Sequence, residues 1–129
     1  MNQRIARVNL LVEDYDEAIE FYTKKLDFEL IEDTQLNEFK RWVLISPKGA
    51  DSICIILSKA TNKNQKKVIG NQVGGRVFMI LFTDNIFRDY QKMLNNKIEF
   101  LTSPTKEVYG TVAVFKDLYG NTFDLLEPK

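Results

Sequence analysis

The sequence predicts an α+β domain built from two copies of one unit, a strand, a helix and three further strands. Three observations carry this. The chain repeats itself at an offset of seventy residues, with Asp14 following the apolar run Val8 to Val12 and Asp84 following the run Val77 to Phe82. Each aspartate opens a stretch at helical spacing, YDEAIEFYTKKL and NIFRDYQKMLNN, that leads into Phe28-Glu29-Leu30 and Ile98-Glu99-Phe100. Finally, 129 residues of which 44% are hydrophobic bury about two-thirds of the surface exposed by the unfolded chain, enough for one independent core.

The elements follow in order. The run Val8 to Val12 reads as a strand. Asp14 and Glu17 stand at capping-box spacing, and Tyr15, Ala18, Ile19, Tyr22 and Leu26 recur at i, i+3, i+4, i+7 and i+11, so the first helix packs one face on a sheet. RWVLISPKGADSICIIL reads as two strands around a turn containing glycine. The polar segment ATNKNQKKVIGNQVGG, with three glycines, is the natural connection, which divides one domain, 1–129, into modules 1–60 and 75–129 joined by 61–74. Its Lys63, Lys66 and Lys67 read as a solvated surface. In the second copy Asp84 or Asn85 starts the helix, Phe87, Tyr90 and Leu94 point inward, and GTVAVFKDLYGNTFDLL closes the chain as a hairpin.

Composition excludes several classes of function. Eighteen basic and eighteen acidic residues cancel, so no global field steers the chain to nucleic acid or to an anionic membrane. No apolar stretch approaches the ~20 residues of a membrane helix. One cysteine, Cys54, forms no internal disulfide, and MNQRIARV lacks an apolar leader segment, so a cytoplasmic location is expected. The chain has no histidine. That removes Ser-His-Asp and Cys-His catalysis and the commonest ligand of catalytic metals.

Asp14, Ala18, Phe21, Tyr22, Leu26 and Phe28 spell D-x-x-x-A-x-x-F-Y-x-x-x-L-x-F, and FKDLYGNTFDLLEP carries a D-x-x-G-N turn before the last strand. Together, in order and duplicated, these stretches resemble the vicinal oxygen chelate superfamily, the glyoxalase, bleomycin-resistance and extradiol-dioxygenase relatives. The resemblance covers essentially the whole chain. It implies paired βαβββ modules that curl a mostly antiparallel sheet into a cup with the ligand site inside, and a homodimer.

The resemblance also implies where a metal would sit in metal-dependent members. The four ligand positions fall on Arg7, on Cys54 (with Ile56 as the alternative), on Phe78 (or Val77 if the register slips by one) and on Asp124. Arginine stays protonated and phenylalanine has no lone pair to donate, so no metal and no cofactor is expected. Arg7 and Asp124 then have two readings: an ion pair filling the vacated hole, or a fixed cation beside a carboxylate base that takes a proton alpha to a carbonyl. Cys54 lies in an apolar run and reads as a small hydrophobe. Phe39, Trp42, Phe78, Tyr109, Phe115 and Phe123 lie on or beside expected strands, and those facing the cup would form an aromatic box for a flat ligand. The expected ligand-binding set is Arg7, Trp42, Cys54, Phe78, Tyr109 and Asp124, with Asp124 and Arg7 as the catalytic pair. Two functions stay open: a metal-independent lyase or isomerase acting on a small carbonyl or aromatic metabolite, and a non-catalytic protein that sequesters a drug or metabolite.

Overall fold

Asp14 starts the first helix as its spacing predicts: it is extended, and its carboxylate accepts the Glu17 N–H at 2.8 Å. A computed structural model describes residues 1–49 and 51–129. They form two compact units, Met1–Ile69 and Gly70–Lys129.

The first unit holds β1 (Arg7–Val12), α1 (Tyr15–Glu20), β2 (Glu29–Gln35), β3 (Arg41–Ser46), β4 (Cys54–Lys59) and α2 (Lys63–Val68). Helix α1 continues as a π-helical turn, Phe21–Lys25. The sheet runs β1-β4-β3-β2, with β1 parallel to β4 and the other pairs antiparallel. Strand alternation divides most of its residues between two faces, although Leu44 and Ser46 are buried on the otherwise open one. Leu10, Val12, Val43, Ile45, Ile55 and Leu57 are all buried, together with Ala18 and Tyr22 of the helical segment. Arg7, Asn9, Leu11, Trp42, Cys54, Ile56 and Ser58 alternate with them on the other face and keep solvent access. Ala50, between β3 and β4 in sequence, lies outside the described residues.

The second unit holds β5 (Met79–Phe82), α3 (Ile86–Asn95), β6 (Glu99–Phe100), β7 (Thr105–Glu107), β8 (Gly110–Lys116) and β9 (Thr122–Pro128), in the order β5-β9-β8-β6 with β7 also on β8. Its core is a run of rings. Tyr90 meets Phe100 at 4.6 Å, Phe100 meets Phe115 at 5.6 Å, and Phe115 stacks on Phe123 at 5.1 Å.

Three sequence expectations change. The second strand of the second copy is split into β6 and β7, because Leu101 and Thr102 both donate to the Val114 carbonyl and Pro104, which has no N–H, follows before β7. The inward face of α3 is Ile86, Tyr90 and Met93; Phe87 is 63% exposed and Leu94 37%. Asn85 is the cap, accepting the Arg88 N–H at 3.1 Å, and the packed stripe is the i, i+4, i+7 set Ile86, Tyr90, Met93, which leaves Phe87 and Leu94 on the far flank. The connection 61–74 contains α2, capped by Asn62, which accepts the Gln65 N–H at 2.9 Å.

Candidate functional site

The two helix caps, Asp14 and Asn85, are 71 residues apart, so a structural match of the two copies aligns Arg7 with Phe78 and Asn9 with Ile80. In the sheets Asn9 pairs with Ile56 and Ile80 pairs with Asp124. Ile56 is therefore the first unit's counterpart of Asp124, and Cys54, which pairs with Arg7, corresponds to Thr122.

A cavity of about 420 Å³ opens on the solvent-accessible face of the first unit's sheet. Its floor is Asn9 and Leu11 of β1 with Ile56 and Ser58 of β4, and Trp42 of β3 stands beside Ser58. Ser58 Oγ donates to Asn9 Oδ1 at 2.7 Å, which ties β4 to β1 across the floor. Phe39, Lys40, Tyr15 and Arg41 form one wall, and Lys59, Thr61 and Gln65 another. Gln65 is set by its neighbours: its Oε1 accepts from Thr61 N at 2.7 Å and from Thr61 Oγ1 at 3.1 Å. Arg41 is fixed more firmly. Its Nε and Nη2 donate to Asp33 at 3.1 and 2.7 Å, its Nη1 donates to Asp16 at 2.9 Å, and it lies 5.2 Å over the Tyr15 ring. Hydrogen bonds to Asp33 and then to Asp16 raise its pKa, so the guanidinium is charged at every accessible pH.

Of the expected residues, Trp42 lines this cavity. Arg7, which is exposed, and Cys54, partly buried and unpaired, continue the same sheet face one pleat beyond Asn9 and Ile56. Phe78, Tyr109 and Asp124 belong to the second unit. Phe78 packs edge-on against Phe123 at 6.3 Å. Tyr109 sits in the turn between β7 and β8 and is 58% exposed. Asp124 lies in β9 between Ile80 and Val114, and burial raises its carboxyl pKa above the ordinary range. Phe115 and Phe123 are core residues at 0% and 2% exposure, not part of a ligand box. Sequence reading missed Asn9, Ser58 and Gln65. The first two are one pleat beyond Arg7 and Ile56, so strand alternation carried the signal.

The model of the Glyoxalase/Bleomycin resistance protein/Dioxygenase superfamily matches residues 4–125. The chain belongs to that superfamily. It is 52% identical over 128 residues to an uncharacterized protein of Shewanella frigidimarina (strain NCIMB 400), covering 98% of this chain and 95% of that protein. It is 32% identical to the uncharacterized protein YetH of Bacillus subtilis (strain 168), covering 98% and 100%. Among solved structures, UcmS2 is 29% identical with a TM-score of 0.84, covering 98% of this chain and 99% of UcmS2. TnmS3, an antibiotic binding protein from Streptomyces sp. CB03234, shares the fold at 24% identity and a TM-score of 0.79, covering 99% and 98%.

The superfamily's metal-dependent members raise the question of whether these residues suit a divalent ion. They do not fit. Among the described residues no three Cys, Asp or Glu side chains gather as a ligand set, and neither a guanidinium at Arg7 nor a ring at Phe78 donates a lone pair.

Proposed function

We propose that this superfamily member binds a small, largely apolar molecule in the cavity on the open face of the first unit's sheet. The observation that carries the reading is the cavity itself. About 420 Å³ is within the usual range for ligand sites, and an apolar floor and wall with a few fixed polar groups is their usual make-up. Leu11, Trp42, Ile56 and Phe39 supply contact area, while Asn9, Ser58 and Gln65 supply direction. Arg7 and Cys54 extend the binding surface along the same face. TnmS3 shows that this fold serves antibiotic binding in another protein, in keeping with a sequestering role.

A panel of aromatic and dicarbonyl metabolites, followed by thermal shift and by turnover, tests the reading. At least one compound is expected to raise the melting temperature, and Ile56→Trp, which fills the floor, is expected to remove that shift while the protein stays folded. A panel without any shift, or a shift that survives Ile56→Trp, overturns the proposal.

Catalysis is the second reading, favoured by the raised pKa of Asp124. A carboxylate made more basic by burial suits a proton abstraction alpha to a carbonyl. Turnover that disappears in Asp124→Asn supports the lyase or isomerase form. A thermal shift without turnover supports sequestration. We further propose that the protein works in the cytoplasm as a homodimer; the unpaired Cys54 suits a reducing compartment.

A further inference from the structure

The walls of the cavity are unequal in hydrogen-bonding character. Its principal acceptors are engaged: Asn9 Oδ1 by Ser58, and Gln65 Oε1 by Thr61. The Tyr15 hydroxyl oxygen accepts the Arg41 backbone N–H at 3.3 Å. Its donors are not. Lys40 Nζ, Lys59 Nζ, Trp42 Nε1 and Gln65 Nε2 have no acceptor among the described residues, and no carboxylate lines the cavity. Each lysine carries three donors and no acceptor, and the tryptophan N–H is donor only. Asp16 and Asp33, beside the Arg41 wall, are held by Arg41. The only charged side chains that line the cavity among the described residues are therefore Arg41, which is engaged by these two acids, and the two lysines. A donor surplus, two lysine ammonium groups with no carboxylate in the lining, and the rings of Trp42 and Phe39 occur together at one opening.

We propose that the cavity selects an aromatic anion: a planar ring system that lies on Trp42 and Phe39 and bears a carboxylate or similarly charged oxygen group facing Lys40 and Lys59. This rests on the cavity reading above and adds the charge class of the ligand. It also accounts for selectivity, because a cationic aromatic of the same size would meet two ammonium groups and no carboxylate among the lining residues.

Three isosteric probes separate charge from shape: 2-naphthoate, neutral 2-naphthamide and 2-naphthylmethylammonium, titrated into the full-length protein by calorimetry at low ionic strength. Naphthoate is expected to bind about fivefold or more tightly than naphthamide, with the ammonium compound weakest, since partly exposed ion pairs give modest factors of this size. The advantage should shrink as salt is added. The Lys40→Gln/Lys59→Gln double variant should bring naphthoate to the affinity of naphthamide and leave naphthamide unchanged. Equal binding of naphthoate and naphthamide, or an advantage that persists in the double variant, overturns the anion preference and leaves the cavity reading standing. Failure of all three probes to bind overturns both.

Discussion

Asp124 is the residue at which a titration and a structural role are most directly linked. It sits in the middle of β9, and burial lifts its carboxyl pKa. The folded protein therefore holds this proton more tightly than the unfolded chain does. The stability that follows is fully present below the unfolded value, about 4, and is lost as pH rises through the higher folded value. At pH 7 the ionised group is a cost. Asp124→Asn should therefore melt above the parent at pH 7, and the gap should close as pH falls below about 4. Differential scanning calorimetry across that range checks it. A parent more stable than the variant at pH 7 would instead point to a cation that stabilises the carboxylate. Asp89 behaves in the opposite sense. Burial works to raise its pKa, yet hydrogen bonds from Arg88 and Thr83 outweigh it and hold the carboxyl low. The local sequence separates these two aspartates: Asp89 follows Arg88 directly and lies six residues after Thr83, whereas Asp124 is flanked by Phe123 and Leu125 and has burial alone acting on it.

At the scale of elements, the turn from β8 to β9 shows why a short motif was readable. Asp117 and Asn121 are 5% and 2% exposed. Asp117 Oδ1 accepts the N–H groups of Tyr119 and Asn121, both at 2.9 Å, and its Oδ2 accepts Asn121 Nδ2 at 2.8 Å. Gly120, at φ 96°, supplies the left-handed residue between them. Local spacing fixes all of this, so D-x-x-G-N announced it. Asp117→Ala leaves three donors without their acceptor, two of them on a buried residue, and should cost about 2 kcal/mol or more in urea unfolding; a loss under about 0.5 kcal/mol would show that the turn holds without its aspartate. The first helix was equally legible, because Asp14 and the i, i+3, i+4 pattern agree. The second was legible in extent but not in phase. Asp84 and Asn85 are both good caps one residue apart, and apolar residues flank Tyr90 on both sides, so the pattern alone did not show that Ile86 and Met93, rather than Phe87 and Leu94, enter the core. The same one-residue difference moves the offset between the copies from 70 to 71 on β1 and β5. Unequal connections before the last strands shift the match of Ile56 and Asp124 to 68. Insertions in polar loops leave no periodic trace, so the alignment of the candidate site across the copies needed the sheet registers.

For the whole molecule, the surface carries more apolar side chains than a small domain usually leaves in water. Phe39 is 81% exposed, Phe82 68% and Val108 88%, with Phe87, Ile80 and Tyr109 also open. Single exposed apolar residues are ordinary, but Ile80 and Phe82 share one face of β5, an edge strand, and Val108 and Tyr109 are neighbours in one turn. A chain with equal numbers of acidic and basic residues has little net repulsion to keep copies apart. Both features favour self-association, and closed twofold pairing is its commonest form. Light scattering at micromolar concentration should therefore give twice the 15.0 kDa of one chain. Dilution should lower the melting temperature, because association couples stability to concentration. Phe82→Asp places a charge among the apolar groups of that edge; if β5 is part of the contact, the variant should dissociate at concentrations where the parent remains paired, without changing the ligand-induced shift assigned to the first unit. A clean 15.0 kDa species for the parent at every concentration would show that these side chains are exposed in the working protein, and the homodimer would be discarded.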